Sequence, residues 1–470
     1  MKKILIILSL CSFSLSANTP KYSHTFLFTR PAQQNLPLRQ SVWHDILFNK
    51  KQKFSIDVAV FGQQSGYSDQ ISQYFLPPNR NTLLVNSTTL DRDVLPFWLG
   101  LPEAFSGNLT IAPKQSQVGG LIEGRLNLGD IFKMGDVMGI NFLENWSVFL
   151  SLAIINAKNN LNLTQSNVLN EASNTLPVYN IITAFNNPTW KNDKINGQQK
   201  VTGVSEIRLG LATTLMATER AHVATYTCLT LPTKLKQPNE FLFNAFNGYG
   251  HPGLVWGISF YVPFNRATDD YKVALTLNFE NIFLMKDYQY RTFDLQEKPW
   301  SRFMLMRKKN DASGTLYPGV NILTHKLKVH PHSIIDFSSG FRVVSGYFQA
   351  EAGFALWAHG GETCEILHNS WIPDYGIAGT EANTSSSLST IAKREPNDPI
   401  FVTIIENNLD LKSCAQPPNL VYKMYGTIGL QNMGAKKSYD LTLGAYKEFP
   451  HNKTDALGTW GIWLTSGAAF

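Results

Sequence analysis

Trp460-Gly-Ile-Trp-Leu-Thr-Ser-Gly-Ala-Ala-Phe470 closes the chain. On an extended backbone side chains alternate between two faces, so Trp460, Ile462, Leu464 and the terminal Phe470 share one of them, where Ser466 and Ala468 are small. The same period of two recurs along most of the sequence. In Phe54 to Val60 one face is Phe54, Ile56, Val58 and Val60, and the other is Ser55, Asp57 and Ala59. Val118, Ile122, Leu126 and Leu128 oppose Gln117, Glu123, Arg125 and Asn127. Trp146, Val148, Leu150, Leu152 and Ile154 form another such face, and Ile207, Leu209, Leu211 and Leu215 oppose Glu206 and Arg208. Val273, Leu275, Leu277, Phe279 and Phe283 stand against Lys272, Thr276, Asn278 and Glu280.

Strand length decides the fold class. About eleven residues at roughly 3.3 Å each, tilted by about 45°, rise about 25 Å, the height of a membrane barrel's apolar band. Strands of globular sheets usually stop at about five or six residues. Further candidates are 222–232, 253–263, 319–329, 333–344, 346–359, 419–431, 438–449 and 458–470, with less regular runs near 105–112 and 286–294. The expected fold is all-β: a transmembrane antiparallel up-and-down β-barrel of about 12 to 16 strands, with 14 as the central value.

The other end of the chain carries an export signal. Lys2 and Lys3 precede an apolar stretch from Ile4 to Leu15, and Ser16-Ala17 supplies small residues before Asn18. Residues 1–17 therefore read as a signal peptide. Cys11 follows Leu10 where a lipoprotein signal would have a small residue, so lipidation is not expected. No later stretch is long and apolar enough for a helical span.

Only 16% of the 470 residues are charged and 12% are aromatic, which fits strands with one face toward lipid and aromatic girdles at the interfaces. The net charge of +6 is small and dispersed, excluding a nucleic-acid partner. Of the cysteines beyond the signal, Cys364 and Cys414 bracket a loop-like segment and form a candidate disulfide, while Cys228 lies in an alternating strand.

Residues 53–470 are assigned to the barrel. Ala217 to Ala221 and Val344 to Gly346 read as short turns; 78–104, 158–203, 233–252 and 360–418 read as long loops, the last with low-complexity character at Asn383 to Thr390. Residues 18–52 hold an apolar-aromatic patch, Phe26-Leu-Phe28 through Trp43 to Phe48, and are a candidate lumen plug. A periplasmic tail or an additional first strand is the competing assignment.

Chemistry has few candidates. His330-Pro-His332 could chelate a metal, but the intervening proline and the lack of a nearby acidic or cysteine partner favour a turn. Trp43-His44-Asp45 has no nucleophile beside it, and His251 follows the glycine-rich Asn247 to Gly250 as a turn residue. No nucleotide, hydrolase or zinc-protease motif occurs, and neither enzyme activity, cofactor nor metal is expected. The better candidates are charges on the polar faces: Asp57, Glu123, Arg125, Glu206, Arg208, Lys272, Glu280, Arg342, Glu351 and His359. Such residues line and tune a pore, or else pair across strands and fill the interior.

The signal segment, the alternating strands from about 54 to 470 and the terminal Phe470 resemble Gram-negative outer-membrane β-barrel proteins of the porin and fatty-acid-transporter kind. The resemblance implies outer-membrane lipid and the barrel assembly machinery as partners, with Trp460, Ile462, Leu464 and Phe470 as the assembly signal. The expected function is a passive pore or diffusion transporter for small solutes. A surface barrel whose long loops mediate adhesion and a soluble exported β-protein are the rival readings; the solute and the oligomeric state are not set by the sequence.

Overall fold

The computed structural model describes residues 23–48, 52–66, 71–78, 80–87, 92–128, 146–195, 197–218, 220–233, 239–265, 270–311, 313–377, 403–433 and 437–470. The signal segment at 1–17 and the low-complexity run at 383–390 lie outside these residues.

Twelve long strands close into one ring. They are β1 Phe54–Ser65, β2 Lys114–Asn127, β3 Trp146–Asn160, β4 Gln198–Ala217, β5 His222–Pro232 and β6 Gly253–Pro263. After them come β7 Tyr271–Leu284, β8 Ile334–Ser345, β9 Phe348–His359, β10 Asn419–Met433, β11 Ser438–Pro450 and β12 Thr459–Ala469. Each strand pairs antiparallel with its sequence neighbour, and β12 pairs β1 from Ser55 opposite Ala469 to Ser65 opposite Thr459. Phe470 N donates to Phe54 O (2.8 Å), so the last residue helps close the ring. Closure leaves no strand edge unpaired.

The ring count falls at the low end of the expected 12 to 16 strands. Residues 105–112, 286–294 and 319–329 do contain strands, at Ser106–Thr110, Asp287–Thr292 and Thr324–His330, but these pair in small sheets beyond one rim. Their inner side chains, among them Leu109 and Leu327, pack on loop residues and so belong to a second core.

That second core caps the barrel. Connections 66–113, 161–197, 233–252, 285–333, 360–418 and 451–458 all leave the same rim. The described parts of the first four and of the last contribute Phe75, Trp98, Phe105, Phe185, Trp190, Leu242, Trp300, Phe303 and Leu457 to one buried cluster. Described parts of 360–418 supply Trp371, Ile404 and Leu409 to an adjoining one. Connections 128–145, 218–221, 264–270, 346–347 and 434–437 join strands at the opposite rim, all but the first of them short.

Arg302 pins two of the capping connections. It is fully buried, with Nε 2.7 Å from Asp193 and Nη1 2.6 Å from Asp294, against the rings of Trp300 and Phe303. Burial pushes Asp193 up to about 6 even beside this cation. Arg302→Met would leave two carboxylates buried without their cation, at an expected cost of about 3–5 kcal/mol to the cap. Limited proteolysis of the folded barrel checks this: new cuts should fall in 161–197 and 285–333 while the ring strands stay protected.

The candidate disulfide partners Cys364 and Cys414 are brought side by side at the base of the cap. Cys364 Sγ lies 3.9 Å from the carbonyl oxygen of Cys414. Cys414 Sγ donates to Leu411 O (3.2 Å), and the Cys364 thiol lies beside it.

Candidate functional site in the barrel lumen

Alternation along each strand sends one set of side chains inward, and the ring's size determines what those side chains can fill. With strands about 4.8 Å apart and tilted about 40°, a ring of 12 has a backbone diameter of about 24 Å. Wall side chains reduce that to a bore of roughly 10–12 Å, the width of one α-helix.

An α-helix occupies it. Residues 23–31 are largely extended and 32–34 form a single 3-10 turn; helix α1, Leu36–Phe48, carries Pro37 in its first turn, where the missing N–H costs nothing. Leu38, Arg39, Val42 and Trp43 are all buried. Apolar Leu38, Val42 and Trp43 and polar Arg39 and Gln40 all meet lumen wall, unlike the single apolar stripe of a surface helix.

The segment descends from the cap toward the short-turn rim, bonded at each level. At the top, Ser23 Oγ donates to Phe75 O (2.8 Å), His24 N to Tyr74 O (2.8 Å) and Thr25 N to Ser413 O (2.9 Å). Phe26 lies 3.1 Å beneath the Arg291 guanidinium, and Phe28 stacks on Tyr249. Lower down, Arg30 pairs with Glu448, its carbonyl accepts from Gln63 (3.2 Å) and Gln117 (3.3 Å), and Gln117 accepts from Ala32 N (2.8 Å). Gln33 donates to Ser205 (2.5 Å), and Lys423 donates to Asn35 (2.5 Å). Gln34 is bonded to both Glu206 and Arg208. In the helix, Arg39 lies 3.6 Å from Glu123, Gln40 donates to Ser338 (2.6 Å), and Trp43 packs edge-on to Tyr226 and Phe149.

All ten charges singled out from the sequence occupy inward positions, and most meet a neighbour. Arg208 bridges Glu206 (3.0 Å) and Glu280 (3.3 Å), and Tyr226 donates to Glu280 (2.6 Å). Arg125 donates to Ser147 (2.8 Å), while Asp57 stands opposite Glu123 in the β1–β2 register. Arg342 bonds Gln349 and Gln431, and Glu351 accepts from Thr276 (2.9 Å) and Tyr425 (2.7 Å). His359 contacts Gly360 O (2.8 Å) and Gln416 (3.2 Å) at the cap's base, and Lys272 is exposed at the short-turn rim. His251 bonds Met285 O (3.0 Å) and Gln289 (2.8 Å), and His330 sits 3.3 Å from Glu365 in the cap.

Sequence reasoning missed Lys423 and Glu448, which sit 3.5 Å apart, and Asp336, although all three lie on polar faces of expected strands. It also missed Arg30, Gln33, Gln34, Asn35 and Arg39. The polar run Arg30-Pro-Ala-Gln-Gln-Asn35 inside an apolar-aromatic segment was the signal that could have found them.

The upper anchor is sensitive to acid. His24 stacks on Tyr74 with ring centroids 4.6 Å apart, and burial, helped by Arg302, pushes its imidazole down to about 4. Its folded-state pKa lies below the ordinary 6.5, so its stabilisation is intact above pH 6.5 and is lost as pH falls through 4. The full effect is about 3 kcal/mol. Hydrogen exchange at the amides of residues 24 and 25 should quicken as pH drops through this window beyond its intrinsic change, and His24→Phe should abolish that excess.

The outer surface of the ring has the opposite character. Val58, Val118, Ile122, Leu150, Ile154, Leu209, Met424, Ile428, Leu443 and Ile462 are all exposed there, as a continuous apolar belt. Exposed aromatics bound it: Phe54, Tyr271, Tyr347, Phe348, Tyr439 and Phe470 toward the short-turn rim, and Trp256, Phe283, Phe449 and Trp460 toward the cap. A soluble protein does not expose a belt of this extent, whereas lipid requires it. The chain is an outer-membrane β-barrel. Trp460, Ile462, Leu464 and Phe470 all face outward on this barrel's last strand and terminus.

No family model matches the chain, and no curated protein sequence matches it. Among solved structures it is similar to the COG4313 outer membrane channel from Pseudomonas putida F1, with 9% identity and TM-score 0.38 over 89% of this chain and 96% of that one. The translocator domain of autotransporter NalP from Neisseria meningitidis gives 9% identity and TM-score 0.33 over 93% and 95%. A Pseudomonas aeruginosa FadL homologue gives 10% identity and TM-score 0.29 over 96% and 98%. At these values the likenesses name no family for this barrel.

Proposed function

We propose that the protein is a gated diffusion channel for small polar solutes, closed at rest by residues 23–48. The observation that carries the reading is the match between the bore and the segment inside it. A wall of helix width holds a helix that bonds to it through Arg39 and Gln40 and packs Leu38, Val42 and Trp43 on its apolar patches. Passage requires the segment to shift, and the exposed exchange partner for its polar groups would be water. Small voids beside it, such as one of about 30 Å³ between Arg30, Trp357, Asn419 and Glu448, admit water but no solute. Both charge signs line the wall, so selection would rest on size more than on ion type.

Planar-bilayer recording of the intact protein tests this. The expected record is a closed baseline with discrete, brief openings, together with slow uptake of small sugars by vesicles carrying the barrel. A barrel that stays insulating at every voltage and passes no sugar would overturn the proposal.

A further inference from the structure

The amino-terminal segment adds one crossing to the barrel. Twelve strands alone return the chain to the side on which β1 began. β1 begins at the short-turn rim, where Lys53 N donates to Phe470 O (2.8 Å). Ser23, at the far end of the threaded segment, lies in the cap of long loops. In outer-membrane barrels the short turns face the periplasm and the long loops face outward.

The outer placement of residues 23–28 is built into the cap. An extended segment cannot satisfy its own backbone groups, so its surroundings must. Tyr74 O and Ser413 O accept from the amides of His24 and Thr25, and Tyr74 OH donates to Phe26 O (2.7 Å). The Gln416 side chain bonds both the N–H and the carbonyl of Phe28, each at 3.2 Å. These partners come from separate outer connections, so the cap folds around the segment and holds it on that side.

We infer that the barrel threads its own amino-terminal segment outward: Ser23, held in the cap, lies on the outer side of the membrane, opposite Phe470. This holds whether or not the lumen conducts solutes, so a failed conductance measurement leaves it standing.

The test uses intact cells producing the full chain with a short epitope and protease site inserted between residues 17 and 23. The control has the same insert at the Gly346–Tyr347 turn. External protease should remove the amino-terminal epitope from intact cells and reach the control only after permeabilisation. An amino-terminal epitope cleaved only after permeabilisation would overturn the inference. If the insert impairs folding, the unmodified protein is labelled on intact cells with a membrane-impermeant amine reagent and mapped by peptide mass spectrometry. Label at Lys21 with Lys437 unlabelled supports outward threading, and label at Lys21 only after permeabilisation refutes it.

Discussion

Replacing residues 23–48 with a flexible Gly/Ser linker is expected to turn a mostly closed barrel into one that conducts steadily. The ring itself should survive the change. Its twelve strands are joined by backbone ladders that do not involve the segment, and closure depends on β1 meeting β12. The segment fills a bore of roughly 10–12 Å, so its removal leaves space for hydrated ions and small sugars. Some stability will be lost, because Arg30, Arg39 and Gln34 leave Glu448, Glu123 and Glu206 facing water in place of their partners. Those carboxylates are less costly in a water-filled lumen than in a dry one, since the new pore resolvates them. Bilayer recordings of the linker variant, with folding checked by heat-modifiable gel mobility, give the answer. A correctly folded variant as closed as the parent would mean that something else blocks the lumen.

Arg208→Met is expected to destabilise the barrel by about 3–5 kcal/mol, because it strands two buried carboxylates. Arg208 reaches Glu206 at 3.0 Å and Glu280 at 3.3 Å and also bonds Gln34 of the threaded segment. It therefore ties β4 to β7 and both to the plug. Adding Glu206→Gln and Glu280→Gln to Arg208→Met should recover much of the loss, since replacing a whole buried ion cluster by neutral groups is often close to neutral. Recovery should not extend to gating, because the Arg208 contact with Gln34 is still missing, so the triple variant should open more often than the parent. Urea unfolding in lipid vesicles measures the first effect and bilayer recording the second. A single variant that unfolds with the parent would show that the Arg208 cluster does not hold the lumen together.

Much of this architecture was legible in the chain. The alternation in Phe54 to Val60 and in Val273 to Phe283 assigned each side chain to a lipid or lumen face, and Glu206, Arg208 and Glu280 were placed inward for that reason alone. The strand total was less legible. Asp287–Thr292 and Thr324–His330 alternate as a ring strand does, and only their packing on cap residues such as Leu323 and Trp371 removes them from the barrel. The polar partners were legible one at a time and not as pairs.

Alternation is a property of a single strand, carried by its own residues, so the sequence by itself determined the all-β class, the length needed to cross a membrane and the face each charge occupies. Register and threading are relations between distant segments. Arg30 and Glu448 are separated by 418 residues, and nothing local to either selects the other. The tertiary structure alone decided that the ring closes at 12 strands, that its charges join into a bonded network, and that residues 23–48 run through the lumen from the cap to the opposite rim. A closed ring of this size leaves a bore that its own side chains do not fill, and the nearest chain able to fill it is the one that leads into β1.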